Sequence, residues 1–418
     1  MIQLVRGFRD ILPQQTPRWR AIEKTAISLF QDFGFKEIRI PILERTELFA
    51  RSIGEDTDIV EKEMYTFPDS KGELVTLRPE ATASIVRSYI QHKLYAKDPV
   101  QKVYTTGPMF RRERPQKGRY RQFYQIDVEI LGIKSAYADT LLIFMLITLL
   151  DRLDVSDAQA HINSLGCSAC RPGFRAKLSE FISSRADVLC SDCNRRRERN
   201  PLRVLDCKVP SCREAMADAP SILDSLCSDC ERHFKELTQS LTHLNVSYVI
   251  DKRIVRGLDY YTRTIFEIQT GSMGAQNAVV GGGRYDNLVK MLGGPDIPAT
   301  GFAIGLDRLV EIAGSRLGTE QKQPRVFIAA IGEESIAKAF SWSCSLGLEG
   351  VCAELDLSGK SLKALMKRAD KLGFEYVVIV GDNELRKRAV ILRNMRTKAQ
   401  DLIPIDGIVE NLKKRLTT

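Results

Sequence analysis

The chain is 418 residues long, 44% hydrophobic and 28% charged, with a net charge of +9 and a pI near 9.0. These values exclude a disordered or fibrous chain and leave room for two or three domains, each with its own core. The positive balance points to an acidic partner, nucleic acid first among the candidates.

The opening residues, MIQLVRGFRDILP, lack the apolar stretch of a secretory signal. Residues 16–33 read as a helix with Trp19, Ile22, Ala26, Leu29 and Phe30 on one face, and Gly34 as its C-terminal cap. A strand is expected at 38–43, a short helix at 45–52 and a longer helix at 80–96. Strands at 102–110 and 123–131 enclose a turn with Pro115 and Gly118. The longest apolar run, Leu141 to Leu150, is too short to span a bilayer and reads as a buried helix. A cytoplasmic protein without membrane association is therefore expected. A cysteine-rich stretch, Cys167 to Cys230, then interrupts one mixed α/β unit, and strands resume at 248–250, 262–269 and 278–280. Residues 315–324, SRLGTEQKQP, read as a linker. Beyond it, strands at 325–330, 351–355, 376–380 and 389–392 alternate with helices at 334–346 and 362–372, the pattern of a small parallel α/β domain.

Chemistry concentrates in the 102–131 hairpin. Of the eleven residues Arg111 to Arg121, seven are charged and six of these are basic. Arginine forks at a strand end match phosphate and carboxylate oxygens in bidentate geometry, although a solvated turn would carry the same charges. On the return strand Gln125, Asp127 and Glu129 alternate with Ile126, Val128 and Ile130, so the amide and two carboxylates share one sheet face. Such a face beside an arginine tip suits an ammonium group held near a phosphate; a solvated edge strand would show the same alternation. Ser358-Gly359-Lys360-Ser361 is not a P-loop, because Glu354 stands where the first glycine must be. Gly281-Gly282-Gly283 permits very close backbone approach, either under a helix or to a ligand. Arg256-Gly257-Leu258-Asp259-Tyr260-Tyr261 places an arginine, an acid and two aromatics at a strand entrance. Gly301 to Leu309 reads as a strand entering a helix that carries Arg308.

In order and combination these segments resemble motifs 2 and 3 of class II aminoacyl-tRNA synthetases. With Arg6-Gly7-Phe8-Arg9-Asp10, Leu77-Arg78-Pro79-Glu80-Ala81-Thr82 and RGLDYYT, the chain is similar over nearly its whole length to the histidyl-tRNA synthetase family, bacterial type. The resemblance implies an α+β catalytic domain with an antiparallel sheet (1–324), the Cys-rich insertion within it (166–240), and a C-terminal α/β anticodon-binding domain (325–418). It implies a homodimer, with motif 1 around Ile22 to Leu43. It implies a ligase that makes histidyl-adenylate from L-histidine and ATP with Mg²⁺, then charges the tRNA for histidine. Arg111 and Arg256 would act on the α-phosphate, and Arg111 also on the histidine carboxylate. Glu80, Ala81, Thr82 and Gln125 would surround the α-ammonium group, and Glu129, Tyr260 and Tyr261 the imidazole. Glu113 and Phe123 would meet the adenine, Arg308 would stack on it, and Arg119 would meet the outer phosphates or the tRNA end. The rival is the histidine-sensing regulatory paralogue of ATP phosphoribosyltransferase, which is expected to lack both the C-terminal domain and the arginine motif.

Eight of the ten cysteines form pairs: Cys167 and Cys170, Cys190 and Cys193, Cys207 and Cys212, Cys227 and Cys230. Paired thiolates at these spacings suit tetrahedral Zn²⁺ in two Cys₄ sites, with three ways of combining the pairs. Such sites leave no open coordination position and are expected to stand apart from the chemistry. Cys344 and Cys352 are expected to be core residues.

Overall fold

The computed structural model describes residues 2–54, 57, 59–115, 118–271, 278–313 and 325–417. Two compact units divide the chain, Met1–Gly318 and Thr319–Thr418; the linker expected at 315–324 lies outside the described residues.

The first unit is built on an eight-stranded sheet. In spatial order its strands are Lys36–Glu37, Gln101–Phe110, Gln122–Leu131, Ala299–Gly305, Ala278–Arg284, Thr262–Thr270, Ala158–Ser164 and Tyr248–Ile250. The interior pairings are antiparallel, and only the two outermost are parallel. Period-two alternation divides each central strand between two buried layers. Ile126, Val128 and Ile130 face helices Thr16–Asp32, Ala136–Arg152 and Ser228–His243. The expected apolar helix at 141–150 is the middle of Ala136–Arg152, buried on most of its circumference. Gln125, Asp127 and Glu129 face the other layer, where Tyr260, Tyr261, Tyr285 and helix Thr82–Gln91 close over them. Both faces being covered, the polar alternation is not that of a solvated strand.

Helix Thr16–Asp32 ends as expected, with Gly34 at φ +80° where a left-handed residue is required. The strand expected at 38–43 is not one element. The chain leaves the large sheet after Glu37 and joins a separate three-stranded sheet at Leu43–Arg45, Tyr65–Pro68 and Leu74–Leu77. The helix expected at 80–96 is broken, because Lys93 is left-handed and a 3₁₀ turn follows at Leu94–Ala96.

The insertion leaves strand Ala158–Ser164 and returns through helix Ser228–His243 to the parallel edge strand Tyr248–Ile250. It is helical and has a small core of Phe174, Leu178, Ile182, Val204, Met216 and Ile222 around Cys193 and Cys212. A buried charge cluster ties its return helix to the sheet. Arg284 and Asp139 are both fully buried, with Nη2 to Oδ1 at 2.9 Å and Nε to Oδ2 at 3.1 Å. His233 Nε2 and Thr264 Oγ1 lie 2.8 and 2.9 Å from the same Oδ2. Burial alone would raise the Asp139 pKa, but the Arg284 guanidinium overcomes it and holds the carboxyl at about 2.

The second unit has five strands in the order Cys352–Leu355, Arg325–Ala330, Tyr376–Val380, Ala389–Asn394 and Gln400–Pro404. The first three are parallel and the last two antiparallel, so the sheet is mixed, not parallel as expected. A hairpin with Lys398 left-handed replaces a helical crossover there. Cys344 and Cys352 are exposed, against expectation: the first lies on a helix, the second opens an edge strand.

Candidate active site

The polar layer of the large sheet is an acid pocket. Glu80 sits just before helix Thr82–Gln91, and its carboxylate accepts from the backbone N–H of Thr82 at 2.8 Å and of Ala83 at 2.9 Å. It thereby satisfies the helix's open donors, with Ala81 as N-cap. Thr82 Oγ1 donates to Glu129 Oε1 at 2.6 Å, and the Tyr285 hydroxyl donates to Oε2. Gly301 lies directly opposite Glu129 on the neighbouring strand. A Cβ there would come within 1.5 Å of Glu129 Oε2, so the glycine gives the carboxyl its space. Tyr260 packs against Tyr261 at 4.8 Å between ring centroids and against Tyr285 at 5.6 Å.

Glu80, Asp127 and Glu129 are at most 4% exposed, so burial disfavours their ionised forms and each repels the others. Burial pushes Glu129 to about 8 and Asp127 well above the usual carboxylate range, and it also raises Glu80. Arg111 and Arg78 counter part of this rise. Gln125 Oε1 and Asp127 Oδ2 are buried without a protein hydrogen-bond partner. A pocket with three carboxyls and free acceptor oxygens is complementary to an ammonium group and to ring N–H donors.

Cations form the rim. Arg111 donates from Nε to Pro79 O at 2.9 Å and lies 5.3 Å from the Phe123 ring centroid. Arg78 is held by the carbonyls of Ile40 and Pro108. Arg256 donates from Nη1 to Glu267 Oε1 at 2.5 Å, while its Nε is buried without a protein partner. Its guanidinium lies flat on Gly281, where a Cβ would meet it at 2.0 Å. The triple glycine is therefore part of a strand, not a bend under a helix, and it is open to Arg256. Further out, Arg119 pairs with Glu113 at 2.8 Å. Arg308 donates to Ala278 O at 2.6 Å and, more weakly, to Gly118 O at 3.4 Å. Asp307, beside it, accepts from Arg9 at 2.5 Å and from Tyr124 N at 2.7 Å. Thus the RGFRD segment clips the hairpin to the GLDRL helix.

The residues expected to bind the amino acid, Glu80, Ala81, Thr82, Gln125, Glu129, Tyr260 and Tyr261, gather at the pocket, with Arg111 and Arg256 at its rim. Glu113, Arg119 and Arg308 form a second group along the hairpin tip. Sequence reasoning missed Tyr285 and Glu267, which orient Glu129 and Arg256. Tyr285 lies two residues past the glycine run, after Arg284, and Glu267 alternates with apolar neighbours on its strand, signals too common to single them out. The eight clustered cysteines come together as two groups, Cys167 with Cys170, Cys227 and Cys230, and Cys190 with Cys193, Cys207 and Cys212. This selects one of the three possible pairings.

Residues 7–309 match the family model of histidyl-tRNA synthetase, and residues 325–415 that of an anticodon binding domain. The chain is 59% identical over 418 residues, all of its own length and 98% of the relative's, to a histidine–tRNA ligase of Desulforapulum autotrophicum. It is 51% identical, with full coverage of both chains, to that of Geobacter sulfurreducens. The solved structure of apo histidyl-tRNA synthetase from S. aureus is similar with a TM-score of 0.82 and 33% identity, over 99% of this chain and 100% of that one.

Proposed function

The chain belongs to the histidyl-tRNA synthetase family, and we propose how its residues divide the labour of a histidine–tRNA ligase. It is an aminoacyl-tRNA ligase and not the regulatory paralogue, since its full-length relatives are histidine–tRNA ligases. The observation that carries the residue roles is the buried Glu80–Asp127–Glu129 pocket bordered by Arg111 and Arg256.

In the first step the α-ammonium group of histidine enters among Glu80, Thr82 and Gln125. The imidazole meets Glu129, with Tyr260 and Tyr261 as walls. Arg111 holds the carboxylate against the α-phosphate of ATP, which turns a bimolecular attack into an oriented one. Arg256, fixed by Glu267, faces the charge that develops on that phosphate. A preorganised cation stabilises the transition state without having to reorganise. Phe123, Glu113 and Arg308 hold the adenine, and Arg119 the outer phosphates or the tRNA end. Mg²⁺, where bound with ATP, would supply charge neutralisation on the phosphate oxygens beside Arg111, Arg119 and Arg256. In the second step the histidyl group passes to the terminal adenosine of the tRNA, whose anticodon is read by the 325–418 domain.

The protein works in the cytoplasm as a homodimer through the region of Ile22 to Leu43. No helix among the described residues is long and apolar enough to cross a membrane. The 166–240 insertion binds structural Zn²⁺ through its thiolates. The test of the reading is ATP–pyrophosphate exchange with each of the twenty amino acids. Exchange with histidine alone is expected; no exchange with histidine, or equal exchange with several, would overturn it.

A further inference from the structure

The two cysteine groups have the dimensions of tetrathiolate metal sites. A tetrahedron with Zn–S near 2.3 Å has S···S edges of about 3.8 Å. Cys167 Sγ lies 3.7 Å from Cys170 Sγ and 3.8 Å from Cys227 Sγ, and Cys190 Sγ lies 3.9 Å from Cys207 Sγ. Within each group all four sulfurs are within 4.8 Å of one another. These separations are far too long for disulfides. The backbone N–H of Cys227 donates to Cys170 Sγ, and that of Cys190 to Cys212 Sγ, each at 3.1 Å. Such donors stabilise sulfur that carries negative charge. The outer site closes the base of the insertion; the inner site lies within it.

The segment between inner ligands Cys193 and Cys207 lies against the strand entrance that carries Arg256, Tyr260 and Tyr261. Asn200 Nδ2 donates to Asp259 Oδ1 at 2.9 Å, and Arg203 Nη1 donates to the carbonyl of Arg256 at 3.2 Å. Leu202 and Leu205 pack on both the insertion core and the pocket layer of Ile254, Val255, Tyr260 and Tyr261. Arg171, next to outer ligand Cys170, donates to the carbonyl of Tyr261. These contacts to residues 256–261 are all carried by chain that runs between cysteines of the two groups.

We propose that Zn²⁺ in the inner Cys190, Cys193, Cys207 and Cys212 site positions the 256–261 segment, so that histidine recognition depends on a metal bound outside the reacting centre. This rests on the reading of Arg256, Tyr260 and Tyr261 as histidine-site residues. The four thiolates fill the coordination sphere, so the ion itself takes no part in the reaction. Without it the 200–205 turn loses its fixed ends, and the backbone of Arg256 loses its support. A displacement of about 1 Å at a positioning group costs up to a hundredfold in rate.

The experiment uses the full chain purified without chelator or metal-affinity resin. Elemental analysis should find two zinc ions per chain, and Cys193→Ser/Cys207→Ser should retain one. In pyrophosphate exchange that variant should show a histidine KM raised about tenfold or more and a lowered kcat, since Arg256 moves with Tyr260 and Tyr261, while the ATP KM changes less than about threefold because the adenine contacts at Glu113, Phe123 and Arg308 stay in place. Hydrogen exchange at 254–261 should quicken. Arg203→Ala leaves every ligand in place; it should keep two zinc ions and still raise the histidine KM. A folded one-zinc variant with the parent histidine KM would overturn the proposal. So would metal-free parent protein, or an Arg203→Ala enzyme with unchanged histidine KM. A two-zinc parent protein without histidine-dependent exchange would instead refute the ligase reading on which the proposal stands.

Discussion

Glu129→Gln isolates the electrostatics of the acid pocket. The parent carboxyl is 1% exposed, and burial raises it from 4.5 to about 8, opposed in part by hydrogen bonds from Thr82 and Tyr285. In the unfolded chain it ionises near 4.5. Between those two values the folded protein therefore holds a proton that the unfolded chain has lost, and stability falls as pH rises. The slope is about 1.4 kcal/mol per pH unit, so the loss between pH 5 and 7 is on the order of 2–3 kcal/mol. Glutamine is nearly isosteric, offers an oxygen to Thr82 and does not titrate. The stability of Glu129→Gln relative to the parent should thus grow by roughly 2–3 kcal/mol from pH 5 to pH 7. Urea unfolding of the substrate-free protein measures this, in a Trp342→Phe background that leaves Trp19, buried in the catalytic core, as sole reporter. The kinetic counterpart is that a protonated Glu129 and a neutral imidazole share one proton. Parent kcat/KM for histidine should be flat between the imidazole pKa of about 6.5 and that of Glu129. It should fall on either side. Glu129→Gln should lose about tenfold to a hundredfold in plateau kcat/KM, the range for a charged hydrogen bond, and keep only the alkaline limb of the substrate's own α-ammonium group. A stability difference that does not change from pH 5 to 7, or a plateau kcat/KM that the substitution leaves unchanged, would refute the reasoning.

Arg256→Ala should slow single-turnover adenylate formation by about a hundred- to a thousandfold, as loss of a transition-state donor does; a change below about threefold would make Arg256 structural. Arg284→Met leaves Asp139 buried without its main counter-charge and should destabilise the catalytic unit by about 3–5 kcal/mol in the same unfolding assay. Because Asp139 is depressed to about 2, its contribution is present above the unfolded carboxylate range and is lost as pH falls towards 2. The parent should therefore lose most of its advantage over the variant under strong acid. Removal of residues 325–418 should abolish most tRNA charging while histidine-dependent exchange continues; equal loss of both would point to a role in folding or dimerisation.

The sequence by itself carried the local and the periodic. The helix ended by Gly34, the hairpin strands, and the shared face of Gln125, Asp127 and Glu129 are all consequences of backbone preference and side-chain spacing, which act over a few residues. Its motifs, taken in order, also pointed to the family, because several short segments with distinct chemistry rarely coincide by chance. Where a short segment's partner is distant, the sequence was ambiguous. Residues 38–42 are apolar enough for a strand, yet they bridge two sheets, because pairing depends on which edges the fold presents. The second unit's antiparallel pair and the exposure of Cys344 and Cys352 were hidden for the same reason. Only the tertiary structure brought Tyr285 and Glu267 to Glu129 and Arg256, and left Gly281 and Gly301 bare beneath them. It also selected one pairing of four cysteine pairs and laid the 200–205 turn against residues 256–261. Cysteine spacing is local and legible, but what the turn between the cysteines supports depends on contacts between residues some fifty positions apart. Such contacts arise from packing of the whole domain, and no pattern in the intervening chain encodes them.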